Sequence, residues 1–173
     1  MTYRFIVGCG CDVVCISRIQ RVYEKFGRRF LHRAYHPQEI ATFDNLFKKS
    51  PKKTTTTATA AAVTTTCQQI EFLASRWAVK EAATKAVASH RIPFSHMLVA
   101  KTLPLDIDDS TCSDKLNLLV PFRPNAQRPL LEFTSDVQPV LQQLGVLHTH
   151  ISLSHDDDYA FATVILEGEG QQN

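Results

Sequence analysis

Glu71-Phe72-Leu73-Ala74-Ser75-Arg76-Trp77-Ala78-Val79-Lys80-Glu81-Ala82-Ala83-Thr84-Lys85-Ala86 decides how this chain is read. The run has helical spacing, with Phe72, Val79, Ala82, Ala83 and Ala86 on one apolar face and Leu73 and Trp77 falling among two polar rows. Glu81 and Lys85 lie four apart and share an edge with Ala78, whereas Arg76, Lys80 and Thr84 form the second row. A helix that is apolar on several sides is central and buried. Charge carried on such a helix is costly unless it is paired or bound to an ion or ligand. Pairing of Glu81 with Lys85 or Lys80 would account for these charges by packing alone, and the segment by itself leaves both readings open.

Working outward, Phe5-Ile6-Val7-Gly8-Cys9-Gly10-Cys11-Asp12-Val13-Val14-Cys15-Ile16-Ser17-Arg18-Ile19 reads as an apolar strand that opens into two glycines and one Asp before a helix. Ile151-Ser152-Leu153-Ser154-His155-Asp156-Asp157-Asp158-Tyr159-Ala160-Phe161-Ala162-Thr163-Val164-Ile165 reads as two alternating strands joined by an acidic turn. Gly8 and Gly10 remove side chains where another chain segment or a ligand comes close. Asp12 then stands at the strand exit. Taken alone it is as readily a turn former or helix cap as a ligand. Paired with Glu81 it makes a two-carboxylate site. Magnesium keeps several waters and takes only one or two protein carboxylates together with phosphate oxygens, a pattern that Asp12 and Glu81 meet without any histidine.

The three segments, in this order and at these separations, resemble the holo-acyl-carrier-protein synthase type of 4'-phosphopantetheinyl transferase. The likeness consists of a G-x-D-[IV]-V-x-I-x-R-I opening, an F-L-A-x-R-[FW]-A-x-K-E-A-x-x-K-A helix and a closing S-[IL]-S-H-x-x-x-Y-A hairpin, and it covers nearly the whole chain. The resemblance implies that an ion at Asp12 and Glu81 holds the pyrophosphate of coenzyme A while a serine of a carrier protein attacks the β-phosphorus, giving the modified carrier and 3',5'-ADP. In such a reaction the protein supplies position and charge. Glu81 and Lys85 are the expected catalytic residues, Lys85 neutralising the leaving 3',5'-ADP. Glu81 can orient a metal-bound water or the incoming serine, and which of them takes the proton stays open. Arg76 and Lys80 are the candidates for the remaining phosphates, since guanidinium suits bidentate phosphate contact. His155 matches the histidine of the closing motif and is expected at the 3'-phosphate or adenosine end of the coenzyme, with a turn-capping histidine as the alternative. Family members of this size also resemble homotrimers with coenzyme sites at subunit boundaries.

The carrier has its own signature. Arg18, Arg21, Lys25, Arg28, Arg29 and Arg33 place six cations within sixteen residues, opposed there only by Glu24, although the whole chain is only +2. Acyl carrier proteins are acidic and dock on the family's first helix, so Arg18, Arg21, Lys25 and Arg28 are the expected docking residues. A nucleic-acid module using the same patch and the Lys48 to Lys53 tract leaves Asp12 and Glu81 unexplained. A catalytically dead scaffold relative is the third reading. One departure concerns the turn after the central helix, commonly Gly-rich in the family. This chain has Ser89-His90-Arg91-Ile92-Pro93-Phe94-Ser95 there, which implies a differently shaped nucleotide pocket.

The 173 residues, 44% hydrophobic and 21% charged, suit one domain with a real core. The fold class expected is α+β, helices packed on an antiparallel sheet. No apolar run approaches the roughly 20 residues that cross a bilayer, and strand-like sequence from Tyr3 leaves no room for a removable leader. An odd five cysteines, with Cys9, Cys11 and Cys15 crowded together, argue for reduced thiols in an intracellular compartment rather than a zinc knuckle. Strands are expected at Tyr3 to Val7, Met97 to Leu103, Lys115 to Val120 and Leu130 to Phe133, and a hairpin at His148 to Ser154 and Tyr159 to Leu166. Helices are expected at Ser17 to about Phe26, Arg28 to about Tyr35, Pro37 to about Phe47 and Ser135 to Leu144, the last stopped by Gly145. Lys48 to Cys67, Lys-rich and then Thr/Ala-rich, reads as a flexible insertion that fits a eukaryotic protein better than a compact bacterial one, and the resemblance implies that a eukaryotic member of this size serves a mitochondrial carrier, the preferred reading, or a large cytosolic synthase. Asp106 to Asp114 reads as a polar connection, Asp156 to Asp158 as a solvated turn without calcium, His148 and His150 as strand residues off the site, and Gly168 to Asn173 as a fraying tail.

Overall fold

Residues 2–49, 67–101 and 128–171 are described in this computed structural model. Their elements run β1 (Thr2–Cys15), α1 (Ile16–Phe26), α2 (Arg28–Ala34), α3 (Pro37–Lys49), α4 (Cys67–Val87), β2 (Met97–Lys101), β3 (Pro129–Phe133), α5 (Gln138–Gln143), β4 (His148–Asp156) and β5 (Tyr159–Gln171). Single 3-10 turns precede β2 and α5. Most of the expected insertion, the expected strand Lys115 to Val120 and the connection Asp106 to Asp114 lie outside the described residues.

The α+β expectation holds, with the strands divided between two antiparallel sheets. One has the order β1-β5-β4 and the other pairs β2 with β3. The sheets meet where the Thr149 hydroxyl of β4 donates to the Leu131 carbonyl of β3 at 2.8 Å. Helix α4 is the spine of the core. Leu73, Ala74, Ala78, Val79, Ala82 and Ala83 are sealed from solvent, and Leu31 and Phe43 pack into the same cluster from α2 and α3. Small residues on α4 let the sheet approach its backbone closely.

Two boundaries differ from the sequence reading for one reason, pairing with β5. β1 does not stop at Val7 but continues to Cys15, because each residue from Gly8 onward has a partner on β5, with a register shift between Ile6 and Gly8. Asp12 is therefore a strand residue opposite Ala162 and not a strand-exit residue. The fraying tail is likewise corrected: β5 runs on to Gln171, with Gly168 and Gly170 paired to Phe5 and Tyr3. A Cβ at either glycine would meet the side chain of Phe5 or Tyr3, so the polar, Gly-containing sequence lies beneath two aromatic rings. α4 begins at Cys67, inside the stretch expected to be insertion, and α5 is shortened because Ser135–Val137 form a 3-10 turn before Pro139. No helix among the described residues is long and apolar enough to cross a membrane.

Candidate active site

Period-two alternation puts Gly8, Gly10, Asp12 and Val14 on the face of β1 that meets α4. A side chain at Gly8 would collide with the Ala86 carbonyl and one at Gly10 with the Ala82 carbonyl. The two glycines thus bring strand and helix backbones together, and the next residue on that face, Asp12, arrives beside the last turns of α4. There the Lys85 ammonium donates to Asp12 Oδ1 at 2.8 Å and to the Cys11 carbonyl at 2.9 Å. Glu81, one turn earlier, is close enough for its carboxyl to sense Asp12, Lys85 and Arg18 of α1.

The electrostatics combine two carboxylates, Asp12 and Glu81, with two cations, Lys85 and Arg18. Partial burial, and after it the Asp12 charge, raise the Glu81 carboxyl above the ordinary glutamate range, with Lys85 and Arg18 opposing. The hydrogen bond to Asp12 raises the Lys85 ammonium. Two carboxylates held together at the cost of repulsion, both on oxygen donors, fit a hard divalent cation. Among the described residues no group of three or more His, Cys, Asp and Glu gathers, so any such ion would rely on water or substrate oxygens for the rest of its shell.

Glu81 also lines a groove of about 680 Å3 with Trp77, Thr84, Arg33 and Arg91. Arg91 belongs to the segment that replaces the Gly-rich turn, and no motif pointed to it. Phe30, Arg33 and Trp77 continue into a smaller hollow between α1 and α2, bounded by Val22, Phe26 and Arg29. Two neighbouring hollows that share Phe30, Arg33 and Trp77 therefore lie between the basic helices and Glu81.

The other expected residues are distributed elsewhere. Lys80 is corrected from phosphate ligand to core residue: it is fully buried, its ammonium donating to Glu39 Oε2 at 2.5 Å and to the Ala34 carbonyl at 2.9 Å. Burial pulls the Lys80 ammonium down and the Glu39 carboxylate holds it up. Glu39 also accepts the amides of His36 and Val99, so this one carboxylate ties α3, α4 and β2 together. Arg76 stacks on the Phe72 ring at 3.5 Å and lines a separate hollow of about 420 Å3 with Gln38, Thr42 and Leu98. Burial lowers its guanidinium to about 10. Arg28 is engaged by Asp44 of α3 in a bidentate pair of 2.5 and 3.1 Å, whereas Arg18, Arg21 and Lys25 are exposed on α1. His155 is exposed on edge strand β4 and is separated from Asp12 by β5.

Asp158 was passed over in the sequence as part of a solvated turn. Its carboxylate instead accepts the Ser17 amide and hydroxyl, each at 2.8 Å, and the Cys15 thiol at 2.9 Å. Only contact across about 140 residues reveals this, and no local pattern carries the signal.

Comparison with known proteins converges on one family. The family model of the 4'-phosphopantetheinyl transferase superfamily matches residues 8–164. A holo-[acyl-carrier-protein] synthase from Vibrio vulnificus is 30% identical over 162 residues, covering 94% of this chain and 98% of the relative. Among solved structures, the holo-ACP synthase of Plasmodium yoelii superposes with a TM-score of 0.64 at 17% identity, covering 96% of this chain and 98% of that one. The Helicobacter pylori holo-[acyl-carrier-protein] synthase in complex with coenzyme A gives a TM-score of 0.56 at 20% identity, covering 91% and 98%. The chain belongs to the 4'-phosphopantetheinyl transferase superfamily.

Proposed function

We propose that this phosphopantetheinyl transferase moves 4'-phosphopantetheine from coenzyme A to a serine of an apo acyl carrier protein and releases 3',5'-ADP. The observation that carries the reading is the meeting of the Asp12–Lys85 pair with Glu81, which itself lines the groove with Trp77 and Arg91. In the reaction the serine oxygen forms a bond to the β-phosphorus, the bond from that phosphorus to the bridging oxygen of 3',5'-ADP breaks, and the serine proton passes to a base at the site. Asp12 and Glu81 would hold Mg2+, which when bound supplies charge stabilisation to the pyrophosphate. Lys85, with its side chain 53% exposed, is free to extend toward the phosphate oxygens and to meet charge gathering on the leaving nucleotide. Arg18, Arg21 and Lys25 offer the acidic carrier a cationic approach that ends at the same groove.

His155 enters this reading through a second copy of the chain. Within one protomer His155 is on the far strand of the sheet from Asp12, so a neighbour's hairpin is the element that brings a histidine to the coenzyme. A homotrimer would provide that neighbour. It would also cover the open sheet face, where Val13 is 60% and its cross-strand partner Phe161 44% exposed.

The test is direct. Incubated with Mg2+, coenzyme A and an apo acyl carrier protein, the chain is expected to add one phosphopantetheine to the carrier, read as a mass increase of the intact carrier. Absence of that increase across several apo carriers would sink the proposal.

A further inference from the structure

Helix α1 starts with no linker after β1 and without local provision for its first turn. Cys15, at the N-cap, makes no capping hydrogen bond, and the first turn has no acidic residue. The leading amides of a helix need acceptors, which a Ser, Thr, Asp or Asn at the N-cap ordinarily supplies. Here they come from the tip of the β4–β5 hairpin. The Ile16 amide donates to the Asp158 carbonyl at 2.7 Å and the Ser17 amide to Asp158 Oδ1 at 2.8 Å. The second carboxylate oxygen receives the Ser17 hydroxyl and the Cys15 thiol. The preceding residue, Asp157, has φ +48, a left-handed conformation that Asp tolerates better than most residues. A negative group at this helix end also favours the helix dipole.

The clamp joins the three segments that the proposed reaction uses. Asp12 lies three residues before Cys15 on β1, and Arg18, whose charge reaches Glu81, directly follows Ser17. His155 lies three residues before Asp158 on β4. We propose, resting on the phosphopantetheinyl-transfer reading, that Asp158 is a positioning residue that caps α1 from the hairpin tip and so sets Arg18 and Arg21 in the orientation that receives the carrier. Asp158 itself touches neither carrier nor coenzyme in this assignment. Its effect passes through the direction and order of the first turn of α1.

Asp158→Ala should raise the KM for the apo carrier by roughly 3- to 30-fold, while kcat at saturating carrier and KM for coenzyme A stay within about twofold. Asp158→Asn retains an oxygen for the Ser17 amide and should recover part of the loss. Hydrogen exchange at the Ile16 and Ser17 amides should accelerate in the Ala variant and less so in the Asn variant. Should Asp158→Ala fail to fold, Asp158→Asn and Ser17→Ala carry the same measurement, both with an elevated carrier KM. An unchanged carrier KM in folded variants overturns the inference, as does a fall in kcat that only follows the fraction of folded protein. If the wild-type chain loads no carrier, the functional reading fails first and the positioning role with it. Wild-type loading with unaltered variants leaves that reading standing and removes only this inference.

Discussion

Helix α4 makes two lysine–carboxylate pairs five residues apart, and their contrast divides the molecule into scaffold and site. Lys80 and Glu39 are sealed from water, and every oxygen of the carboxylate is engaged by an ammonium or a backbone amide. Lys85 and Asp12 are open on the lysine side, with Glu81 and a groove beside them. Both pairs look alike in sequence, a lysine on α4 and an acid elsewhere. What distinguishes them is dielectric and access. A buried pair has no freedom to exchange partners, because breaking it strands a charge in the core. An exposed pair exchanges readily, since water and other charges substitute at little cost. Charge held in place belongs to the fold, and charge that can be redirected belongs to the chemistry.

The contrast is broken most severely at the carboxylates of the open pair. Asp12→Ala or Glu81→Ala should reduce transfer by on the order of 100-fold or more, while thermal unfolding stays close to wild type. Near-normal activity and Mg2+ dependence in Glu81→Gln would remove Glu81 from the metal site.

Substituting each lysine in turn gives the next largest effect, and here the two pairs should part company. Lys80→Met should destabilise the protein by about 3–5 kcal/mol in urea unfolding, because Glu39 is left charged and buried. Lys85→Met should cost no more than about 1 kcal/mol and should instead lower kcat. Equal losses of stability from the two substitutions would mean that burial does not separate the pairs.

The smallest effect sharpens the comparison through protons. Burial and Asp12 raise the Glu81 carboxyl above its ordinary value of 4.5. The folded chain therefore binds this proton more tightly than the unfolded chain, and the associated stability fades as pH rises through the elevated value. In the metal-free protein Glu81 should therefore titrate above 4.5, the ordinary glutamate value. Asp12→Asn removes the second cause, and the Glu81 titration followed by carboxyl-carbon NMR should move down. An unshifted titration would show that the two carboxylates do not sense each other.

Periodicity and spacing in the sequence by themselves determined that a charged helix lies at the centre of an α+β fold. They also grouped Gly8 and Gly10 with Asp12, and Glu81 with Lys85, because glycine beside a strand acid and an acid four residues before a lysine are local signals, whereas only the family resemblance implied that the two groups belong together. Tertiary structure decided what local patterns do not encode. Whether β1 ended at Val7 or ran to Cys15 depended on β5, since strand length is set by the partner's backbone as much as by the strand's own residues. Lys80 became a core residue and Lys85 an exposed one through what packed against each: α3 with Glu39 in one case, solvent and the β1 carboxylate in the other. Asp158 became a helix cap only because the sheet returned a C-terminal hairpin to the start of α1. A side chain's type states which interactions it can make, and the fold selects among them by setting distance, burial and the identity of the neighbour.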